Sequence, residues 1–418
     1  MSAGTTSGCG IAFRRVSGFR FPLQYSSPLA RRSFWNVSAH EARAYALILA
    51  AAVWIVGAVR WMTGPFVGSG DFSFFYTCGW LARTGKIDRL YNYEAFHATQ
   101  VALVPSSTDI WFPTVYPPQA ALLMAPISAL PYEWAMYLWA LGSLALTGVF
   151  LAGAYRTVRH QLPDMMLAIL AAAAFQPLCE LIVSGQISVV VLAACYLGWL
   201  ALERDRRMLA GAALGMLAIK PQFGLPFGVI VLATRNWRML TGALLSVLAQ
   251  VVAVWATMGT AALTGFAKMV PAILGNIDAL EIATQRSHSI RALTRLPPAW
   301  LGLPLLVVTC GVVLWQVVRV WQSDAPMTVR FGLAILAAVL CNPHLIVYDA
   351  VILMLPLLWF ASWLEARSYH GLLCALFFAF FVPVAAFSRV QPTVLLMLAI
   401  VWLVTRQATT HSRSGLPA

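Results

Sequence analysis

Apolar runs broken by short polar clusters make up most of the chain, and their lengths set the first expectation. A transmembrane helix needs roughly 20 apolar residues, and fewer when it is packed inside a bundle. Seven runs are read as spans: Ala44–Trp61, Trp134–Tyr155, Met165–Val183, Trp237–Met258, Leu301–Val318, Leu345–Trp363 and Gly371–Phe387. Ile187–Leu202 is slightly short. Met208–Ile219, Phe223–Thr234, Val329–Cys341 and Thr393–Val404 are shorter still, each bounded by Pro, Gly or charge. The pattern predicts an all-α integral membrane bundle of about 12 transmembrane helices with both termini on one side. The 12-residue stretch Gln119–Leu130 lies between Pro117-Pro118 and Pro131. It is read as a helix lying in the interface or dipping part-way in. Counting it as a full span would put Arg156, Arg159 and the Arg204–Arg207 cluster outside. Two long outer loops follow, at about 62–133 and 259–299, and loops of that length are usually functional. The first is expected to carry amphipathic helices around Phe74–Arg83 and Glu94–Val104.

Composition excludes a soluble fold. Of the 418 residues 60% are hydrophobic and 10% charged, whereas soluble domains carry about a quarter charged residues. The net charge of +13 does not point to nucleic acid, because the cations sit in short clusters between apolar runs. With the N-terminus in the cytoplasm, most of the 28 Lys and Arg fall inside and most of the 15 acids outside, as the positive-inside rule requires. Residues 1–43 read as a basic, disordered cytoplasmic tail without a secretory signal, and residues 407–418 as a second cytoplasmic tail around a membrane domain at 44–406. The 7 cysteines show no Cys-x-x-Cys and no metal spacing, and read as small buried hydrophobes.

Six constellations carry candidate chemistry. Asp71, in Gly70-Asp71-Phe72-Ser73-Phe74-Phe75-Tyr76, follows the first span among aromatics. Partial desolvation there raises a carboxylate's basicity; the alternative is an ordinary helix N-cap. Trp111-Phe112-Pro113-Thr114-Val115-Tyr116-Pro117-Pro118 suits an interfacial aromatic belt or the wall of a sugar or prenyl site. Ser184-Gly185-Gln186 forms a tight outer turn, with Glu180 one turn earlier in an apolar helix. Lys220-Pro221-Gln222 breaks two apolar runs, and its ammonium is placed to meet a lipid-linked phosphate or to snorkel to headgroups. Gln285-Arg286-Ser287-His288-Ser289 with Arg291 and Arg295 collects cations suited to an anionic leaving group or to headgroups. Finally, Asn342-Pro343-His344 precedes Tyr348 and Asp349. A helix through them would set His344 and Tyr348 on one face and turn Asp349 away from His344.

Taken in order along the chain, the acid after the first span, Tyr-Pro-Pro, Ser-Gly-Gln, Lys-Pro and Asn-Pro-His before an intramembrane Asp resemble glycosyltransferase family 87. The resemblance covers roughly Ala44–Arg406 and implies a GT-C fold. Biochemically characterised members are polyprenyl-phosphate-mannose-dependent mannosyltransferases. Carried over, it makes Asp71 the general base for the acceptor hydroxyl, and His344 the histidine near the donor phosphate. Tyr116, Pro117 and Pro118 match the loop that shapes the cavity, and Gln186 and Lys220 the Gly-Gln and Lys positions. The implied reaction moves one sugar from a polyprenyl-phosphate donor to a lipid or glycan acceptor, by inverting attack on the periplasmic face of a bacterial inner membrane. Lys220, Arg286, Arg291, Arg295 and His344 are available to the departing phosphate, and Tyr348 and Asp349 to the substrate. No Asp-x-Asp is present; no cofactor, metal or nucleic-acid partner is expected, and membrane lipids are the surroundings. Neither the sugar nor the acceptor is written in the residues. Two other classes fit the same pattern: a transporter or lipid-linked sugar flippase, with Glu180 and Asp349 as coupling groups, and an O-antigen ligase or polymerase-like enzyme using a diphosphate-linked oligosaccharide.

Overall fold

The computed structural model describes residues 38–63, 70–111, 114–275, 287–293, 298–365, 370–381 and 391–414. The N-terminal tail before Ser38, the residues after Ser414, Phe112, Pro113, Arg286 and Arg295 lie outside them. Among the described residues every regular element is helical, and the chain is an integral membrane protein.

Helix α1 (Ala39–Thr63) starts at a capping box. The Ser38 N–H donates to Glu41 Oε2 (2.7 Å) and the Glu41 N–H returns to Ser38 Oγ (3.2 Å), satisfying two helix-end donors. The first long loop then builds α2 (Gly70–Arg83), α3 (Tyr93–Leu103) and α4 (Pro118–Met124). The expected helical pieces are present. The stretch Gln119–Leu130 is not one helix, however: α4 stops at Met124, and a 3-10 turn, Ile127–Ala129, follows Pro126. Both pieces fold onto α2. A Cβ on Gly79 would lie 2.5 Å from the Met124 carbonyl carbon, so only glycine lets α2 and α4 approach this closely.

Helix α5 (Tyr132–Val158) leads to α6 (Met165–Ala174) and α7 (Gln176–Ser184). The run read as one span at Met165–Val183 bends by 53° between them. Phe175 is extended, and Pro177 opens α7, where its missing N–H costs nothing. Next come α8 (Ser188–Glu203), α9 (Arg207–Gly215), α10 (Pro221–Ala233) and α11 (Trp237–Gly275). Helix α11 continues beyond the expected span through a break at Gly259, φ 74°. It runs into the second long loop, where Phe266 meets Tyr91 with ring centroids 6.1 Å apart. The chain ends with α12 (Ala299–Trp321), α13 (Met327–Leu340), α14 (Met354–Glu365), α15 (His370–Ala379) and α16 (Pro392–Ser414). The last helix extends to Ser414, into the segment read as a C-terminal tail.

Six described helical segments are long and apolar enough to cross a membrane, and the bent α6–α7 pair makes a seventh. Helices α8 and α10, the α9 segment up to Ile219, and α13 are apolar but have only 10–17 residues. At 1.5 Å per residue they fall short of the roughly 30 Å hydrocarbon core. Burial explains why they are stable. Val329 and every residue from Phe331 to Leu340 are buried, because α13 packs against α8, α10, α12, α14 and α16. A helix apolar on all sides belongs in the middle of a bundle.

Candidate active site

The fold brings four helix breaks together. Gly70 and Asp71 begin α2, and α2 starts against the turn that ends α7. Gly185 closes α7 in the left-handed region, φ 67°, with its N–H donating to Ile182 O (3.2 Å) and the Gln186 N–H to Leu181 O (3.2 Å). This glycine-capped ending satisfies the last carbonyls of the helix. A Cβ at Gly185 would sit 2.5 Å from Phe72 Cβ, so the glycine is required both by its φ and by the approach of α2. Trp139 Nε1 donates to the Gln186 carbonyl at 3.2 Å and anchors the turn from α5.

Gln186 is the hub. Its Nε2 donates to Asp71 Oδ2 at 2.5 Å. Its Oε1 accepts from Lys220 Nζ at 3.3 Å and from the Tyr116 hydroxyl at 3.4 Å. Lys220 Nζ also donates to Asp349 Oδ1 (2.7 Å) and Ser188 Oγ (2.9 Å), and Ser188 Oγ donates to the same carboxylate oxygen. Lys220 is only 1% exposed and Asp349 2%. The rings of Tyr348 and Tyr116 flank the ammonium at 5.3 and 5.6 Å, close enough for cation–π attraction. Lys220 therefore neither snorkels nor reaches a headgroup here.

Asp71 is half-buried and does not cap α2. Its Oδ2 is taken by Gln186, and its Oδ1 accepts no hydrogen bond among the described residues. Burial raises its pKa above the usual carboxylate range, and the Gln186 hydrogen bond and the Lys220 charge offset that in part. The Tyr116 hydroxyl is pushed up to about 12 by burial, so it is a neutral donor at physiological pH. Phe74 and Phe75 pack on the Tyr116 ring (centroids 5.7 and 4.9 Å), and Tyr91 donates to the Tyr116 carbonyl at 3.1 Å. Pro117 caps α4 and Pro118 begins it. Phe74, Tyr91, Thr114, Tyr116 and both prolines share the lining of a small cavity.

The second long loop docks on the fourth break. The His288 N–H donates to Leu345 O (3.0 Å), and Arg291 Nη1 donates to the Pro343 carbonyl (3.0 Å). The His344 N–H donates to Asn342 Oδ1 at 2.9 Å. Arg291 and His344 are thus brought to one loop pair, His344 lying four residues before Tyr348 and five before Asp349. His288 hydrogen-bonds through Nδ1 to Thr393 Oγ1 (2.9 Å), and burial lowers its pKa to about 4. The expectation that His344 and Tyr348 share an α-helical face is corrected. Ile346 is extended, a 3-10 helix runs Val347–Leu353, and the α-helix starts only at Met354. Asn-Pro uncouples His344 from the helix, and the tight 3-10 turn aims Asp349 at Lys220. Arg286 and Arg295 belong to segments outside the described residues.

Two participants escaped the sequence reading. Ser188 follows Gln186 by two residues, and nothing in a serine at a helix start marks it as a partner for a carboxylate 161 positions away. Arg60 pairs with Glu180, binding α1 to α7. Glu180 was singled out as an intramembrane acid, but its partner on α1 was not.

A family model described as glycosyltransferase family 87 matches residues 114–343. The match takes in Tyr116, Pro117, Pro118, Gln186, Lys220 and Arg291, and stops one residue before His344; Asp71 lies ahead of it. Two curated relatives, each named alpha-(1->3)-arabinofuranosyltransferase, come from Mycobacterium tuberculosis strains CDC 1551 / Oshkosh and ATCC 25618 / H37Rv. Each is 27% identical over 229 residues, covering 51% of this chain and 50% of the relative. The chain thus spans about half the length of the curated relatives it matches. No solved structure gave a significant match.

Proposed function

The chain belongs to glycosyltransferase family 87, and on that premise we propose that it is a membrane glycosyltransferase moving a single sugar from a polyprenyl-phosphate donor to a lipid or glycan acceptor. Asp71 acts as general base. One observation carries the reading: a half-buried carboxylate whose Oδ2 is fixed by Gln186 while Oδ1 accepts nothing from the described residues. Desolvation raises its basicity, which suits proton abstraction from a hydroxyl near neutral pH.

In the proposed step the acceptor O–H gives its proton to Asp71 Oδ1 as the oxygen attacks the anomeric carbon. The bond from that carbon to the phosphate oxygen breaks on the opposite face, and its electron pair leaves with the polyprenyl phosphate. The configuration inverts. Negative charge grows on the departing phosphate, and cations placed beforehand stabilise it without reorganisation. Arg291 is the proposed cation among the described residues, joined by Arg286 and Arg295 from the same outer loop, and the His344 imidazole is the proposed hydrogen-bonding partner near the phosphate. Tyr116, Pro117 and Pro118 wall the sugar. The active face is the periplasmic side of the inner membrane.

The sugar is mannose on the family's habit, and the names of the matched relatives make arabinofuranose the second donor to test. Purified protein in nanodiscs would receive radiolabelled polyprenyl-phosphate-mannose or polyprenyl-phosphate-arabinofuranose with a total glycolipid extract. Wild type is expected to label a new glycolipid with one donor and Asp71→Asn with neither. Wild-type transfer by Asp71→Asn would remove the general-base assignment. Translocation of the donor without any new glycosidic bond would replace the transferase with a flippase.

A further inference from the structure

Among the described residues Lys220 is the one fully buried cation at the site, and its position gives it a different task from phosphate binding. An ammonium has three donors and no acceptor. The three are directed at Asp349 Oδ1 (2.7 Å), Ser188 Oγ (2.9 Å) and Gln186 Oε1 (3.3 Å). With 1% of the side chain exposed, none is left for a ligand. The same fact fixes Gln186. Its amide oxygen must face Lys220, because an amide NH2 there would meet another donor. Its NH2 must then face the other way, where Asp71 Oδ2 accepts at 2.5 Å. The array Asp349–Lys220–Gln186–Asp71 is directional, and its middle is fixed by backbone: Gly185 and Trp139 hold the Gln186 turn, and Pro221 starts the helix directly after Lys220.

We propose that Lys220 is a positioning residue: paired with Asp349, it locks the Gln186 amide, which fixes Asp71 Oδ2 and turns Oδ1 toward the acceptor hydroxyl. The proposal rests on the reading of Asp71 as the base. It removes Lys220 from the groups that meet the phosphate and assigns that charge to the outer loops.

Phosphate binding and positioning predict different kinetics. Loss of a phosphate contact made in the ground state raises donor KM with kcat unchanged, whereas loss of alignment lowers kcat. Positioning also reaches the base's titration. The charged or titratable groups around Asp71 are Lys220, Asp349, Tyr116, Tyr348, and Glu180 with its partner Arg60. Gln186 donates to the ionised form of Asp71, so loosening Gln186 moves the Asp71 midpoint, and the acid limb of kcat, to higher pH.

The test uses full-length protein in nanodiscs, with Lys220→Met/Asp349→Asn, which removes both charges together, and Gln186→Leu, which leaves the pair intact. Rates are followed with polyprenyl-phosphate-[14C]mannose and polyprenyl-phosphate-[14C]arabinofuranose. The Asp71 carboxyl is titrated separately by infrared difference spectroscopy against Asp71→Asn, a readout that needs no donor. Both variants are expected to lose about 10- to 100-fold in kcat, to keep donor KM within about threefold, and to raise the Asp71 midpoint by about one pH unit. An unmoved midpoint in Gln186→Leu overturns the proposal, as does a variant pair that changes donor KM alone. If the double variant fails to fold, the Gln186→Leu titration alone decides. Retained transfer by Asp71→Asn is a separate result: it overturns the base assignment, and the positioning role with it.

Discussion

The Lys220–Asp349 pair makes a stability prediction whose size separates two accounts of this core. Lys220→Met leaves Asp349 as a buried carboxylate, 2% exposed, facing only the Ser188 hydroxyl. Breaking a buried ion pair from one side costs about 3–5 kcal/mol, because the survivor's charge stays desolvated. Asp349→Asn is the mirror case, leaving a buried ammonium with Ser188 and Gln186 as its acceptors. Removing both charges in Lys220→Met/Asp349→Asn returns the stability to within about 2 kcal/mol of wild type, since neutral replacement of a buried pair is often close to neutral. A coupling of about 3 kcal/mol or more then separates the double variant from the sum of the singles. The competing account treats Lys220 as one more interhelical hydrogen bond. Such bonds average about 0.6 kcal/mol in a membrane, because the unfolded helices also find partners. Reversible unfolding in mixed dodecylmaltoside–SDS micelles, followed by tryptophan fluorescence, distinguishes the two. Single-variant losses below about 1 kcal/mol that simply add would refute the buried-charge reasoning.

Three further outcomes are expected. Gly185→Ala forces a side chain into φ 67° and to 2.5 Å from Phe72 Cβ, so it loses about 2–4 kcal/mol in the same unfolding assay. Gly142→Ala, which meets nothing within 4 Å, is the silent control. Glu180→Gln removes the ion pair between α1 and α7 yet keeps turnover within about threefold, because the proposed base is Asp71 and not Glu180; a larger loss in the nanodisc assay would return Glu180 to the site. The raised midpoint of Asp71 sets the pH profile: kcat falls as pH falls through that midpoint, because only the ionised form abstracts a proton. Linkage runs the other way. The folded carboxyl holds its proton more tightly than the unfolded one, so its contribution to stability is full below the unfolded value of about 3.9 and is lost as pH rises through the folded midpoint. Paired kcat and unfolding measurements across that window should show the opposite slopes.

Much of the architecture is legible in the chain because lipid imposes long apolar runs. Helices α1, α5, α11 and α12 stand where those runs lie. The harder cases are those in which length does not decide. Run length does not separate α13, buried on all sides, from a short lipid-facing helix; tertiary packing does. The 53° bend at Phe175 was written in Pro177, but an uninterrupted apolar pattern on both sides of it reads as one helix. Carrying helical spacing through Asn342-Pro343-His344 placed His344 and Tyr348 on one face, and the backbone does not continue as a helix there. Pairing across the chain was out of reach. Asp71 and Gln186 are 115 positions apart, and Lys220 and Asp349 are 129 apart.

What the sequence does carry is the location of the breaks, and the breaks locate the site. Asp71 lies in the first turn of α2, Gln186 just past the glycine that ends α7, Lys220 directly before the proline that starts α10, and Asp349 in the 3-10 turn after Asn-Pro. Non-helical backbone at membrane depth survives only where protein or a water-filled cavity surrounds it. Each break must therefore be buried against something, and the cheapest partners for its loose polar groups are the polar groups of other breaks. Four interruptions of otherwise apolar runs are thus driven to one place by the same solvation cost. Lys220 illustrates the consequence: alone in an apolar run it looks like a headgroup anchor, but its side chain is buried and meets Asp349 and Gln186. In such a chain, polar residues beside Pro and Gly interruptions are better guides to the active site than those on uninterrupted helix faces, and Glu180, one turn inside α7 and paired with Arg60, is the instructive contrast.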